Sequence, residues 1–249
     1  MRVDIVTLFP EMFAGVLQAS ILKRAAAKGL AEYHLHQLRD YTRDPHRKVD
    51  ERPYGGGPGM VLMCQPVVDA VRQVEQMDPR PARRILLCPQ GSRFTQLQAR
   101  ELCGCRRLLL IAGHYEGFDE RIRELLTPLE ISIGDYVLSG GEIPAMVVLD
   151  GVIRLIPGVL GDQESHCGES FTADDPTIAG GLEYPQYTRP RSFLGQSVPE
   201  ILLSGDHPAI AAWRAQRSRE KTIRRRPDLL AGSAANPMNF AAEKEKTGA

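Results

Sequence analysis

Three glycine-rich strings hold the residues whose types and spacing could do chemistry. They are Leu87-Cys88-Pro89-Gln90-Gly91, Ala112-Gly113-His114-Tyr115-Glu116-Gly117, and the longer Ile133-Gly134-Asp135-Tyr136-Val137-Leu138-Ser139-Gly140-Gly141-Glu142. Glycine carries no side chain and tolerates positive φ, so backbone amides and carbonyls in such loops can approach a ligand closely. With Glu116 and Asp135 as nearby carboxylates, the ligand that suits them is a cationic nucleoside. Any one string alone reads as readily as a tight turn. All three follow apolar runs that look like consecutive strands, and that shared position points to a binding pocket. No G-x-G-x-x-G follows the first strand and no G-x-x-x-x-G-K-[ST] occurs, which disfavours a dehydrogenase or a P-loop enzyme.

A fourth string, DERPYGGGPGM from Asp50 to Met60, has three successive glycines and two prolines and must be a specialised loop. Its Arg52 and Tyr54 could meet a phosphate or a base, and the same string could equally be a surface lid. Charge is uneven although the net is zero. Between Leu129 and Glu183 there are ten acidic residues and one basic residue, Arg154; between Arg214 and Arg226 there are seven basic residues against Glu220. The basic segment is either a phosphate-contacting face or a solvated helical face. Five cysteines without a CxxC spacing read as free thiols in a reducing compartment. His34 and His36 alternate on one face of a strand, lack an obvious third ligand, and read as surface residues rather than metal ligands.

The elements that must position these strings alternate. Strands are expected over 3–8, 33–38, 84–88, 107–112 and 130–133, with helices over 10–28, 65–77, 95–102, 118–126 and 142–156. Alternation with strongly apolar strands indicates an α/β domain with a mostly parallel sheet, over 1–160. Residues 161–190 are rich in Asp, Ser, Gly and Pro and read as a flexible linker. The rest, 191–249, reads as a small all-α domain. Asp206-His207-Pro208 starts a helix, a second helix follows Pro227, and a disordered tail begins near Ala241. No apolar run approaches the roughly 20 residues needed to span a bilayer, and the N-terminus lacks a signal-peptide pattern. The expected place is therefore the cytoplasm.

Taken in order, DERPYGGGPGM, LLCPQG, AGHYEGFDER, SIGDYVLSGGE, IPGVLG and YPQYTRP resemble the bacterial tRNA (guanine-37-N1)-methyltransferases of the SPOUT class. The similarity runs from LFPEMF near the start through LLSGDH and the basic helix. It implies a deep trefoil knot in the first domain, one of the rare exceptions to unthreaded chains. It implies S-adenosylmethionine held by Leu87, Pro89, Gly91, Gly113, Tyr115, Glu116, Ser132, Ile133, Gly134, Asp135, Tyr136, Val137, Leu138, Gly140 and Gly141. It implies a homodimer with each active site built from both subunits, and a linker that folds over the site when tRNA arrives. RNA contacts would fall on Arg52, Tyr54, Ser165, Arg214, Arg217, Lys221 and Arg224. A magnesium ion near the base is also implied, although no cage of hard oxygens is legible.

By the same resemblance Arg154 matches the catalytic arginine, and Glu169, before Ser170-Phe171, stands where the family usually has an aspartate. The segment from Thr172 to Gly180 also departs from the family pattern in being longer. In these roles Glu169 would take the proton from guanine N1, and Arg154 would stabilise charge developing on O6. Asp174 or Asp175 is the alternative base. Three other readings stand beside this one. The nearest is a SPOUT enzyme acting on a ribose 2′-hydroxyl, against which the PYGGGPGM loop and the C-terminal basic helices favour the guanine enzyme. A non-catalytic RNA-binding relative would bind tRNA without turnover. A nucleotide-binding metabolic enzyme is weakened by the missing phosphate loops.

Overall fold

The computed structural model describes residues 1–161, 168–173 and 175–231. The chain divides into two units, Met1–Gln163 and Glu164–Ala249.

In the first unit β1 (Arg2–Thr7) leads through a 3-10 turn (Pro10–Phe13) to α1 (Ala14–Leu17) and α2 (Ser20–Ala27). Then come β2 (Glu32–Gln37), the short β3 (Asp50–Glu51) and β4 (Val61–Leu62), and α3 (Cys64–Gln76). β5 (Arg83–Arg93), α4 (Gln96–Cys103), β6 (Arg107–Ala112), α5 (Arg121–Leu126), β7 (Leu129–Ser132) and α6 (Glu142–Ile153) complete it. Five strands form one sheet in the order β2-β1-β6-β5-β7, every pair parallel. β3 and β4 pair antiparallel at the two ends of the PYGGGPGM loop, a ribbon too short to show any period in sequence.

The centre of the sheet is buried on both faces, which is why β6 and the first part of β5 read as continuous apolar runs. Val3, Ile5, Ile85, Leu87, Leu108, Leu110 and Ile131 face one core, covered by α2, α4 and α6. Val6, Leu86, Leu109 and Ile111 face the other, covered by α3 and α5. The single helix expected over 10–28 is broken, with Ala19 extended at φ −123° and ψ 156°. Phe13 and Leu22 are both buried in the same core. Nine residues of unbroken helix would turn their side chains to opposite sides, at about 100° per residue. The break lets both face inward.

Arg107 and Asp4 have fully buried side chains and pair at 2.8 Å. Arg107 Nη1 and Nη2 also donate to carbonyls at the end of α3: Nη2 to Val74 at 2.6 Å, Nη1 to Glu75 and Asp78 at 3.0 and 2.7 Å. The buried cation thus satisfies carbonyls that a helix end leaves orphaned. His36 belongs to the same network, 2.9 Å from Asp4 Oδ1 with only a tenth of its side chain exposed. That corrects its reading as a surface residue: β2 is paired on one side only, yet this face is covered.

The second unit contains a hairpin, β8 (Ser192–Phe193) and β9 (Gln196–Ser197), turned by Leu194 and Gly195 at φ 48° and 80°. This departs from an all-helical expectation. Two-residue loops with positive φ at both positions match strand twist. α7 (His207–Arg225) and α8 (Asp228–Ala231) follow. Asp206 caps α7 by accepting from Ala209 N at 3.0 Å. The described part of the segment expected as a linker is hydrogen-bonded to α7. Ser218 Oγ donates to Leu182 O at 2.7 Å, Leu182 N donates to Thr222 Oγ1 at 2.9 Å, and Lys221 Nζ donates to Glu183 O at 2.9 Å. The tail from Ala241 lies outside the described residues.

Candidate active site

A cavity of 320 Å³ opens beyond the carboxyl ends of β5, β6 and β7, walled by the three glycine-rich loops. Its size is at the lower end for small-molecule sites, roughly 300–1,000 Å³. The first loop arises from a slip in the ladder. Leu87 and Ser92 both pair with Ile131, so residues 88–91 are thrown out of β5. Gly91 closes that bulge against β7, where a Cβ would lie 2.5 Å from Glu130 C and Ile131 N. The third loop returns to the second: Gly141 N donates to Gly113 O at 2.7 Å. A Cβ on Gly141 would sit 2.7 Å from Gly113 N. Two backbones touch there, so the glycine is required by space rather than by φ.

A charged brace holds the first loop. Arg123 Nε donates to Glu130 Oε2 at 2.9 Å, its Nη2 to Gln90 Oε1 at 3.2 Å, and Cys88 Sγ to Glu130 Oε2 at 3.1 Å. Burial, then the Glu130 carboxylate, push the Cys88 thiol up. Burial would also raise Glu130, but Arg123 and Cys88 outweigh it and hold the carboxyl below its usual range. The PYGGGPGM loop is tied to the second loop, since Glu116 N donates to Met60 O at 3.0 Å and Leu62 N to Gly117 O at 2.9 Å. The helix expected from 118 begins only at Arg121, and Phe118 is instead bridged to Leu62.

The cofactor residues selected from sequence all line this cavity except two. Gly91 is wedged against β7 behind the bulge, and Asp135 points outward in an ion pair with Arg93. Sequence reasoning did not single out Cys88, Gln90, His114 or Arg123, which also line it. The first three lie inside the quoted strings. Arg123 gave no signal, because only folding brings it back to Gln90 on the first loop, 33 residues earlier in the chain. Arg154 caps the far end of α6. Pro144 lines the cavity at the near end. At 1.5 Å per residue the two are about 15 Å apart along the axis, beyond an arginine's reach.

Glu169 lies in the second unit, its carbonyl accepting from Thr172 N at 3.2 Å. Next to it Ser170 Oγ accepts from Glu183 N at 3.0 Å, and Phe171 N donates to Gly181 O at 2.7 Å. Ser165 and Asp174 lie outside the described residues. Arg52 and Tyr54 are on their loop, Tyr54 fully exposed. On α7, Arg217, Lys221 and Arg224 line one shallow depression. Arg214 stacks over the Tyr184 ring, 4.8 Å from its centre, and Arg217 over Trp213 at 5.7 Å. Among the described residues no group of three or more His, Cys, Asp or Glu could hold a metal ion.

The family model described as tRNA (Guanine-1)-methyltransferase TrmD matches residues 1–232. A tRNA (guanine-N(1)-)-methyltransferase from Rhodopirellula baltica is 55% identical over 92% of this chain and 94% of its own length. The enzyme of the same name from Geobacillus kaustophilus is 56% identical over 92% and 91%. That from Dehalococcoides mccartyi is 53% identical over 92% and 90%.

Proposed function

The chain belongs to the tRNA (guanine-1)-methyltransferase family, and from that premise we propose that it methylates N1 of guanine 37 in tRNA, in the cytoplasm, with S-adenosylmethionine bound in the three-loop cavity. The observation that carries this is the cavity itself, formed where the chain from 134 to 141 comes back against Gly113. That return also supports the trefoil-knotted path.

The residues present fit the donor. Leu87, Ile133 and Leu138 offer apolar walls to a purine, the loop backbones offer amides and carbonyls, and Glu116 offers a carboxylate to a cation. When bound, S-adenosylmethionine supplies an electrophilic methyl group on sulfur. Guanine N1 is a poor nucleophile while protonated. Glu169 takes that proton, a contribution of about 10²–10⁴-fold for a positioned general base. Arg154 directs its donors at O6, where charge develops. Among the described residues no cluster of His, Cys, Asp or Glu forms a magnesium site.

Two features support a homodimer with composite sites. Arg154 lies too far along α6 to serve the cavity of its own chain, so it serves a partner's. α6 is apolar on nearly all sides, and its Ile143 and Val147 are 47% and 43% exposed on one face. A helix apolar all round is normally covered. The arginines of α7, with Arg52 and Tyr54, are assigned to the RNA.

The test incubates the protein with S-adenosylmethionine and unmodified tRNA carrying guanine at positions 36 and 37, with adenine at 37 as control. Nucleosides are read by mass spectrometry. N1-methylguanosine in the first and none in the control is the expected result. Methylation at another atom or position would overturn the substrate assignment, and tRNA binding without transfer would favour the non-catalytic reading.

A further inference from the structure

His114 lines the cavity, and its ring is backed by a polar group that the proposed reaction does not use. Its Nδ1 is buried and has no hydrogen-bond partner. It faces Glu142 Oε2 at 3.8 Å, and Glu142 is itself 2% exposed. The other oxygen, Glu142 Oε1, accepts from Thr7 Oγ1 at 2.8 Å in a buried bond. Glu142 opens α6, where unpaired amides and the helix dipole favour a carboxylate. The ring packs tilted on Phe9 at 4.9 Å and edge-on to Tyr115 at 5.1 Å.

The space that admits this arrangement is made by Gly140. A Cβ there would lie 2.3 Å from Glu142 Oε2 and 2.6 Å from His114 Nδ1. The carboxylate and the nitrogen thus converge on a point in the third loop that carries no side chain. Buried polar nitrogens are rarely left unpaired. A small movement of either side chain brings a proton on Nδ1 to Oε2. Gly140's Cβ would also meet His114 Cε1, so the ring turns its Nδ1–Cε1 edge to the third loop, and Nε2 lies beyond that edge.

We propose that Glu142 is a positioning residue that fixes the proton of His114 on Nδ1, leaving Nε2 as a hydrogen-bond acceptor for an N–H or O–H donor of the nucleoside in the cavity. A neutral imidazole presents a donor at one nitrogen and an acceptor at the other, and the bond made by the first decides the second. Thr7 fixes the polarity of the relay from β1, since its hydroxyl donates to Oε1 and leaves Oε2 for the ring. This inference rests on reading the cavity as the cofactor site.

Ring-nitrogen correlation spectra of the whole protein without ligand test it, with the His114 signal assigned by its loss in His114→Gln. Calorimetric binding of S-adenosylhomocysteine is measured alongside. The wild type is expected to show the proton on Nδ1. In Glu142→Gln, Thr7 still donates to the amide oxygen, so the amide N–H turns to the ring and drives the proton to Nε2. The ligand's Kd then rises by about tenfold, the weight of one hydrogen bond. A wild-type proton on Nε2, or a Glu142→Gln spectrum and Kd like wild type, overturns the inference while leaving the cavity reading intact. Wild-type protein that binds no S-adenosylhomocysteine overturns the cavity reading and the ligand half of the inference with it. If Glu142→Gln does not fold, two other variants decide. His114→Gln reaches the cavity edge and His114→Asn does not, so the first should bind more tightly; equal or reversed affinities overturn the inference.

Discussion

At the scale of single residues, the buried pair Asp4–Arg107 and the proposed pair Glu169 and Arg154 make contrasting demands. Asp4 is structural. Burial alone would raise its carboxyl, but hydrogen bonds from His36, Arg2 and Arg107 hold it well below the usual carboxylate range. A depressed folded value means stability that is complete above the unfolded value of about 3.9 and lost as pH falls through and below it. Urea midpoints should therefore fall between pH 5 and pH 3 and be flatter with pH in Asp4→Asn; an equal slope in both proteins would remove Asp4 as the source. Arg107→Ala leaves a buried carboxylate without its buried cation and α3 carbonyls uncapped, and should cost about 3–5 kcal/mol in denaturant titrations. Arg154→Ala and Glu169→Gln should instead lower single-turnover methylation by about 10²-fold or more. Near-normal turnover in either would refute its role.

At the scale of elements, the cavity depends on backbone contacts that side chains would block. Gly141→Ala places a Cβ 2.7 Å from Gly113 N, and overpacking of this kind costs about 1–3 kcal/mol. At about 2–4 °C per kcal/mol for a chain of this size the melting temperature should drop by several degrees. S-adenosylhomocysteine affinity should drop with it; an unshifted melt would mean that the loops part freely. The segment before the second unit's helices shows why loops are hard to read. Asp, Ser, Gly and Pro over 161–190 suggested a flexible linker. Its hydrogen bonds to Ser218 and Thr222 are polar and span nearly forty residues, so no local periodicity announces them.

At the scale of the whole molecule, a composite site predicts complementation. Leu138→Arg should fill the cavity, and Arg154→Ala should remove the cation. Each homodimer would be inactive, but a mixed dimer pairs one open cavity with the partner's arginine. Co-refolded at equal amounts, the two should regain about a quarter of the wild-type sites, half the dimers each with one site. No recovery would place Arg154 in its own chain's site. Neutralising Arg217, Lys221 and Arg224 together should weaken tRNA binding and lower the slope of log K against log salt by about 0.7–0.9 for each phosphate no longer neutralised. An unchanged slope would take these residues off the RNA.

What sequence alone determined here is whatever repeats at short range. Apolar runs marked β5 and β6 and most of β1, alternation marked β2 and β7, and Asp206-His207-Pro208 marked the start of α7. Glycine-rich strings marked the loops, because a close backbone approach leaves a visible gap in side-chain chemistry. Tertiary structure decided the rest. It broke the first helix so that Phe13 and Leu22 could share one core, and it drew His36 into the buried network of Asp4. It brought Arg123 to the first loop and set Glu142 behind His114. Those pairings join residues far apart in the chain, and their energy comes from exclusion of water at a shared site, which spacing along a sequence does not encode.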